Sequence, residues 1–272
     1  MPTIQALKKQ LKGIKSTQKL SKAIKTVSTV KFSKLNEKYG QYAKYGEECQ
    51  QVFDEFGESF IQNMPMGDAN APVLYLIVSS NKGLCGNFNS QLLNFAFEEI
   101  SKDTNAVLAV LGKKAVQFFE TKGKTIDEYF ELTDVPSFED GCQILDEILE
   151  WRKNGRVSAV KVIYPSYINM MTQKPCVIEL FSKDNNETNK TVQFVPDKKT
   201  VSDRVAKSIF HALFYKMILE AALGAQAATL MTMRSAYDTA TEYSEELEGQ
   251  INRMRQSAVT ADVIETSAEF HS

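Results

Sequence analysis

Ile4, Leu7, Leu11 and Ile14 recur at gaps of 3, 4 and 3, the spacing that places side chains on one stripe of a helix. A second stripe, Leu20, Ile24, Val27 and Val30 or Lys31, continues after a phase shift. No proline falls between residues 3 and 60, and Pro65 in Met64-Pro65-Met66-Gly67-Asp68 closes the segment. About 55 residues at ~1.5 Å each predict a helix of roughly 80 Å, far beyond the usual globular length. Gly13, Gly40, Gly46 and Gly57 each weaken such a helix by about 1 kcal/mol, so neighbouring structure is expected to hold it.

The other end repeats the design. No proline falls between residues 201 and 267, and Ala240, Tyr243, Leu247, Ile251, Met254, Ala258 and Ala261 are spaced 3, 4, 4, 3, 4 and 3. A mean spacing of about 3.5 is that of a left-handed coiled coil. The small residues of Ala221-Ala222-Leu223-Gly224-Ala225-Gln226-Ala227-Ala228 predict close approach of a neighbouring helix.

Between these segments the period changes. Val73–Val78 is a continuous apolar run, as a buried strand requires, followed by Ser79-Ser80-Asn81-Lys82-Gly83-Leu84-Cys85-Gly86 and then a helical pattern. A strand at Ala106–Leu111, a helix at Lys113–Thr121, a helix over 137–153 and a strand over 159–164 continue the alternation. Residues 177–181 and 191–195, separated by a polar stretch, are expected to form an edge hairpin with a long loop. The pattern therefore predicts an α/β chain: a long antiparallel two-helix coiled coil from both termini, with an inserted Rossmann-like α/β domain. Its divisions fall at residues 1–65, 66–200 and 201–272.

Composition narrows the function. With 43% hydrophobic residues the chain can bury a normal core, and a net charge of -2 gives no overall bias toward nucleic acid or anionic lipid. Cys49, Cys85, Cys142 and Cys176 lie far apart, which indicates neither a zinc knuckle nor a disulfide framework. No apolar stretch in the sequence is expected to span a bilayer, so membrane association is expected only through partners.

Gly83-x-x-Gly86 follows a buried strand, where α/β proteins often hold phosphate. It lacks the spacing of a Walker A loop and the glycine order of a dinucleotide fingerprint, and a tight structural turn is the plainer reading. Cys85 as a nucleophile would need a base, yet the histidines are His211 in the C-terminal helix and His271 at its end. No catalytic residue, cofactor or metal is expected.

Lys8, Lys9, Lys12, Lys15, Lys19, Lys22, Lys25, Lys31, Lys34 and Lys38 stand against Glu37 alone. They predict a solvated face, an acidic protein partner, or DNA or anionic lipid. No aromatic interleaves with them before Phe32 and none is Arg, which disfavours base reading. An Arg- and Ser-rich transit peptide is likewise disfavoured.

Three ordered segments resemble the gamma subunit of F-type rotary ATP synthases. Ser16-Thr17-Gln18-Lys19-Leu20-Ser21-Lys22-Ala23-Ile24 is similar to that family's T-x-K-I-T-K-A-M run. Ser80-Asn81-Lys82-Gly83-Leu84-Cys85-Gly86-Asn87-Phe88-Asn89 resembles S-D-R-G-L-C-G-G-F-N, and Asn252-Arg253-Met254-Arg255-Gln256-Ser257-Ala258-Val259-Thr260 resembles N-R-A-R-Q-A-A-I-T. Departures include Asn81 for Asp, Asn87 for Gly and a C-terminus without the family's small apolar tail.

The resemblance implies a non-catalytic rotor shaft inside a ring of alpha and beta subunits, with the inserted domain near the epsilon subunit and the membrane c-ring. It implies that Arg255 and Gln256 bond a beta-subunit loop, with Thr260 on the same section, and that Lys22, Ile24 and Lys25 meet acidic beta-subunit loops at a similar height on the opposing helix. The implied place is peripheral, on the cytoplasmic face of a bacterial cell membrane, without nucleic acid. An α/β small-molecule enzyme with helical oligomerisation arms is the competing reading, and a basic adaptor for nucleic acid or lipid is a third.

Overall fold

The computed structural model describes residues 3–63, 70–181 and 198–269. Two helices bracket the chain, α1 (Ile4–Asn63) and α5 (Lys198–Glu269). Between them come β1 (Val73–Val78), α2 (Phe88–Ile100), β2 (Ala106–Leu111), α3 (Lys113–Thr121), β3 (Glu128–Phe130), α4 (Phe138–Lys153), β4 (Ala159–Asn169) and β5 (Thr172–Phe181). The chain divides into two compact units, one of Met1–Ser28 with Leu230–Ser272, the other Thr29–Thr229, so both long helices contribute to each.

The smaller unit is an antiparallel helix pair. Leu7, Leu247 and Ile251 form its apolar centre, with Ile4, Leu11, Ile14 and Met254 packed around it. From Gln10 to Tyr243, from Gln18 to Thr241 and from Lys25 to the Tyr237 ring, partner numbers fall along α5 as they rise along α1, and the long Lys15 side chain reaches off that order to Glu248.

The larger unit is built on a five-stranded sheet of order β3-β2-β1-β4-β5, parallel except for the β4–β5 pair. Alternate side chains of each strand go to opposite faces, which gives the sheet two cores. Val73, Tyr75 and Ile77 pack with α2 and α3, while Leu74, Leu76 and Val78 pack with α4 and with Phe210, Phe214, Met217 and Ile218 of α5. Both faces are covered, which is why β1 reads as unbroken apolar sequence. Ser137 caps α4 through a reciprocal pair with Asp140. Gly112 turns β2 into α3 at φ 91°, where a Cβ would stand 2.3 Å from the Ser79 carbonyl oxygen.

The predicted spans of β1, β2 and α3 are the observed ones. Three local expectations are corrected. β3 was not foreseen, because three residues are too few to show a period. β4 runs past Pro165 to Asn169: β1 has no partner for β4 beyond Ile163, and Pro165 lies opposite Pro175 of β5, so the missing donors fall on a single rung. β5 begins at Thr172 and returns tightly along β4, instead of pairing residues 177–181 across a long loop. Residues 191–195 and the polar stretch before them lie outside the described residues.

α5 also contains a stretch long and apolar enough to cross a membrane, contrary to expectation, but 78% of that stretch is buried within the protein. The small residues of α5 receive the sheet domain: a Cβ on Gly224 would stand 3.0 Å from Gln173 of β5 and 3.2 Å from Phe88 of α2. The expected neighbouring helix is α1, whose Phe32, Leu35 and Tyr39 pack in one cluster with Ala222 and Leu223, while at Gly224 the neighbours are a strand and a helix start.

Candidate functional site

The helix pair of the smaller unit carries the residues singled out in the sequence. On α1 the inward positions are Ile4, Leu7, Leu11, Ile14, Gln18, Ser21, Lys25 and Ser28, an unbroken alternation of gaps 3 and 4. No phase shift occurs. Ser21 and Ser28 are each 4% exposed, whereas Leu20 and Val27 of the expected second stripe are 59% and 56% exposed. The seam of α5 runs through Met233, Tyr237, Ala240, Ser244, Leu247, Ile251 and Met254. Ser244 replaces Tyr243 in it, since Tyr243 is 38% exposed and accepts a hydrogen bond from Gln10 Nε2 at 2.8 Å.

The two halves of this seam differ in chemistry. Around Leu7, Leu247 and Ile251 it is apolar, and burial of such side chains stabilises by roughly 1.5–3 kcal/mol each. From Gln18 onward it is polar: Gln18 Nε2 donates to Thr241 Oγ1 at 2.7 Å, and the Lys25 ammonium lies 5.8 Å from the centre of the Tyr237 ring. Polar groups inside a coiled coil fix register at a cost in stability. They also leave Leu20, Ala23 and Val27 as an outward apolar stripe.

Lys22 is exposed beside that stripe, and Ile24 and Lys25 are half-buried at its edge. Arg255, Gln256 and Thr260 are exposed on α5, with the Thr260 hydroxyl donating to the Gln256 carbonyl at 2.9 Å. Gln256 and Thr260 line one shallow face with Arg253, Ser257, Ala261 and Ile264. Ala258 and Ala261, expected in the seam, are exposed. Both lie beyond Met254, the last α5 residue packed in the apolar cluster with α1.

The structure does not bring the two groups to a similar height. Lys25 faces Tyr237, and 18 residues separate Tyr237 from Arg255, about 27 Å of helix at ~1.5 Å per residue. They are two stations on one coil. Of the basic run, Lys8, Lys9, Lys12, Lys19, Lys22 and Lys34 are exposed, while Lys15 meets Glu248 and Lys38 donates to the Pro136 carbonyl at 3.0 Å. The Lys15 pair is half-exposed on both sides, which limits it to at most about 1 kcal/mol.

In the larger unit the Gly83 loop spends its polar groups on the fold. Asn81 Nδ2 donates to the Leu132 carbonyl and Asn81 Oδ1 accepts from the Lys113 N–H, tying the loop to two neighbours. Ser80 and Asn89 bond each other across the turn, and Asn89 Nδ2 lies 3.0 Å from Cys85 Sγ. Burial pushes the Cys85 thiol up, away from the reactive thiolate. Leu84 holds φ 66° and is 59% exposed. The cavity beside the loop measures about 40 Å³, room for a few waters. No group of three His, Cys, Asp or Glu placed to hold a metal occurs among the described residues.

Two carboxylates that the sequence reading missed organise this unit. Asp134, 17% exposed, accepts from Lys31 of α1 and, at 2.8 Å, from Lys82 of the loop. Burial opposes its ionisation, but the two ammonium groups outweigh that and hold its carboxyl below the ordinary value. Glu220, 5% exposed within α5, accepts from the Ser166 hydroxyl at 3.0 Å, the Tyr167 N–H at 3.3 Å and the Tyr39 hydroxyl at 3.4 Å. Burial, and then the Glu220 charge, push the Tyr39 phenol up to about 12. The only sequence signal for Glu220 is an acid inside an apolar helical run, and Asp134 has none.

Comparison with known proteins agrees with this architecture. The sequence model of the family described as ATP synthase matches residues 3–268. The ATP synthase gamma chain of Clostridium botulinum is 28% identical over 203 residues, 73% of this chain and 72% of that one. That of Clostridium novyi is 27% identical over 198 residues, 71% and 70% of the two. Among solved structures, a chain of the Euglena gracilis mitochondrial ATP synthase OSCP/F1/c-ring assembly superposes with a TM-score of 0.70 at 15% identity, covering 98% of this chain and 93% of that one. A chain of the rotor of the same organism's enzyme gives 0.65 at 17% identity, covering 94% and 98%.

Proposed function

Because the chain belongs to the ATP synthase family, we propose that it is the central rotor shaft of a rotary ATP synthase, coupling transmembrane ion flow to ATP synthesis or hydrolysis on other subunits. It is a non-catalytic subunit of a membrane-associated complex. The observation that carries the shaft reading is the antiparallel helix pair with a continuous 3–4 seam, together with the exposed α5 residues 255–264 beyond Met254.

Such a shaft acts by shape. A two-helix coil has no three-fold symmetry, so each catalytic site in a ring of alpha and beta subunits meets a different face of it. Turning the coil then changes which nucleotide state each site favours, and the coupling is the difference in contact free energy between those states. Arg255 and Gln256 suit this role because both are exposed and rich in donors, and the planar guanidinium fits carboxylate or carbonyl acceptors on a moving surface. Thr260 extends that station. Lys22, Ile24 and Lys25 form the second, where the exposed Lys22 ammonium beside an apolar stripe suits acidic beta-subunit loops.

The α/β domain is the natural contact for the epsilon subunit and the membrane c-ring, and the location we propose for the chain is peripheral, on the cytoplasmic face of a bacterial membrane. The gamma chains of two Clostridium species support that setting. Affinity capture of the tagged chain from native membranes is expected to recover alpha, beta and epsilon subunits together. Recovery of none of them would reject the shaft reading.

A further inference from the structure

Residues 132–137, between β3 and α4, form a strap held from three directions. Asn81 and Lys82 of the Gly83 loop reach the Leu132 carbonyl and the Asp134 carboxylate. Lys31 and Lys38 of α1, seven residues apart and so on one face of the helix, reach Asp134 and the Pro136 carbonyl. From α5, the buried Tyr215 hydroxyl donates to the same Pro136 carbonyl at 3.1 Å. The strap then continues into Phe138, whose ring lies 6.0 Å from Tyr42 of α1 and 5.3 Å from Tyr215.

The hydrophobic effect that drives apolar packing is itself non-directional. Hydrogen bonds and ion pairs have fixed geometry. Between the Gly83 loop and α1 they meet at Asp134, one carboxylate joining a lysine from each. We infer that this strap, with Asp134 at its centre, is a clamp that stops α1 turning or sliding against the α/β layers under torque. The inference rests on the proposed rotor role, and it makes Asp134 a positioning residue.

The test uses the whole ATP synthase reconstituted in vesicles, measuring ATP hydrolysis and ATP-driven ion pumping together. Asp134→Ala is expected to keep hydrolysis while lowering ions pumped per ATP roughly twofold or more. Lys31→Met, which removes only the α1 arm, is expected to do the same, and Asp134→Glu to restore the ratio. A ratio unchanged in Asp134→Ala overturns the clamp. So does a parallel fall of hydrolysis and pumping, or loss of assembly by all three variants, since either assigns the strap to folding alone. Failure of the unaltered chain to enter the complex would instead reject the rotor reading, so the two failures are told apart.

Discussion

Single buried polar groups do much of the ordering in the larger unit. Tyr39 bonds Glu220, Tyr215 bonds Pro136, and Tyr164 is enclosed between the sheet and α5. Burial comes first among the causes that raise all three phenols, and it takes Tyr39 and Tyr215 from the ordinary 10.0 to about 12. A raised folded pKa means that the folded state keeps its protons longer. The stability from Tyr39 and Tyr215 is therefore complete below pH 10 and is lost as pH rises from 10 through about 12. An ultraviolet phenolate titration is expected to show late-titrating tyrosines, with one fewer in Tyr39→Phe and one fewer in Tyr215→Phe. Simple titration of every tyrosine near 10.0 would remove the burial assigned to them.

At the scale of elements, the helix pair shows how far periodicity carries. The spacing of Ile4, Leu7, Leu11 and Ile14 gives the correct face of α1, because apolar side chains there do enter the seam. The same logic fails beyond Leu11 and Ile14. The inward positions become Gln18, Ser21, Lys25 and Ser28, of which the two serines are buried, and the apolar residues Leu20 and Val27 turn outward. A hydrophobic residue in the sequence signals burial against something, and that something need not be the same chain. The seam assignment makes Leu247, 2% exposed, a position where proline should be costly. Leu247→Pro removes a helical hydrogen bond and adds a clash, a loss of about 3 kcal/mol or more, read as reduced helicity by circular dichroism and a lower melting temperature. Unaltered helicity would contradict a continuous α5.

At the scale of the whole molecule, the function lies in surfaces. Exposed side chains that serve the fold little are the places to look for contacts with neighbouring subunits. Arg255→Ala is expected to lower coupled ATP turnover of the assembled enzyme several-fold, within the range by which single residues alter coupling, while leaving the isolated chain's melting curve in place. Turnover within error of wild type would take Arg255 out of the mechanism.

The sequence by itself determined the elements and their kind: two long proline-free helices, alternating strands and helices between them, and three motifs in family order. Those signals are local, because helix period, strand burial and turn residues are each written within about ten neighbouring positions. Tertiary structure decided which residues meet across the chain. It drew Asp134 between Lys31 and Lys82, put Glu220 among Tyr39, Ser166 and Tyr167, set serines in the coil seam, and separated the Lys22 and Arg255 stations along the coil. Contacts between residues many positions apart depend on how whole elements pack, and no local period records that.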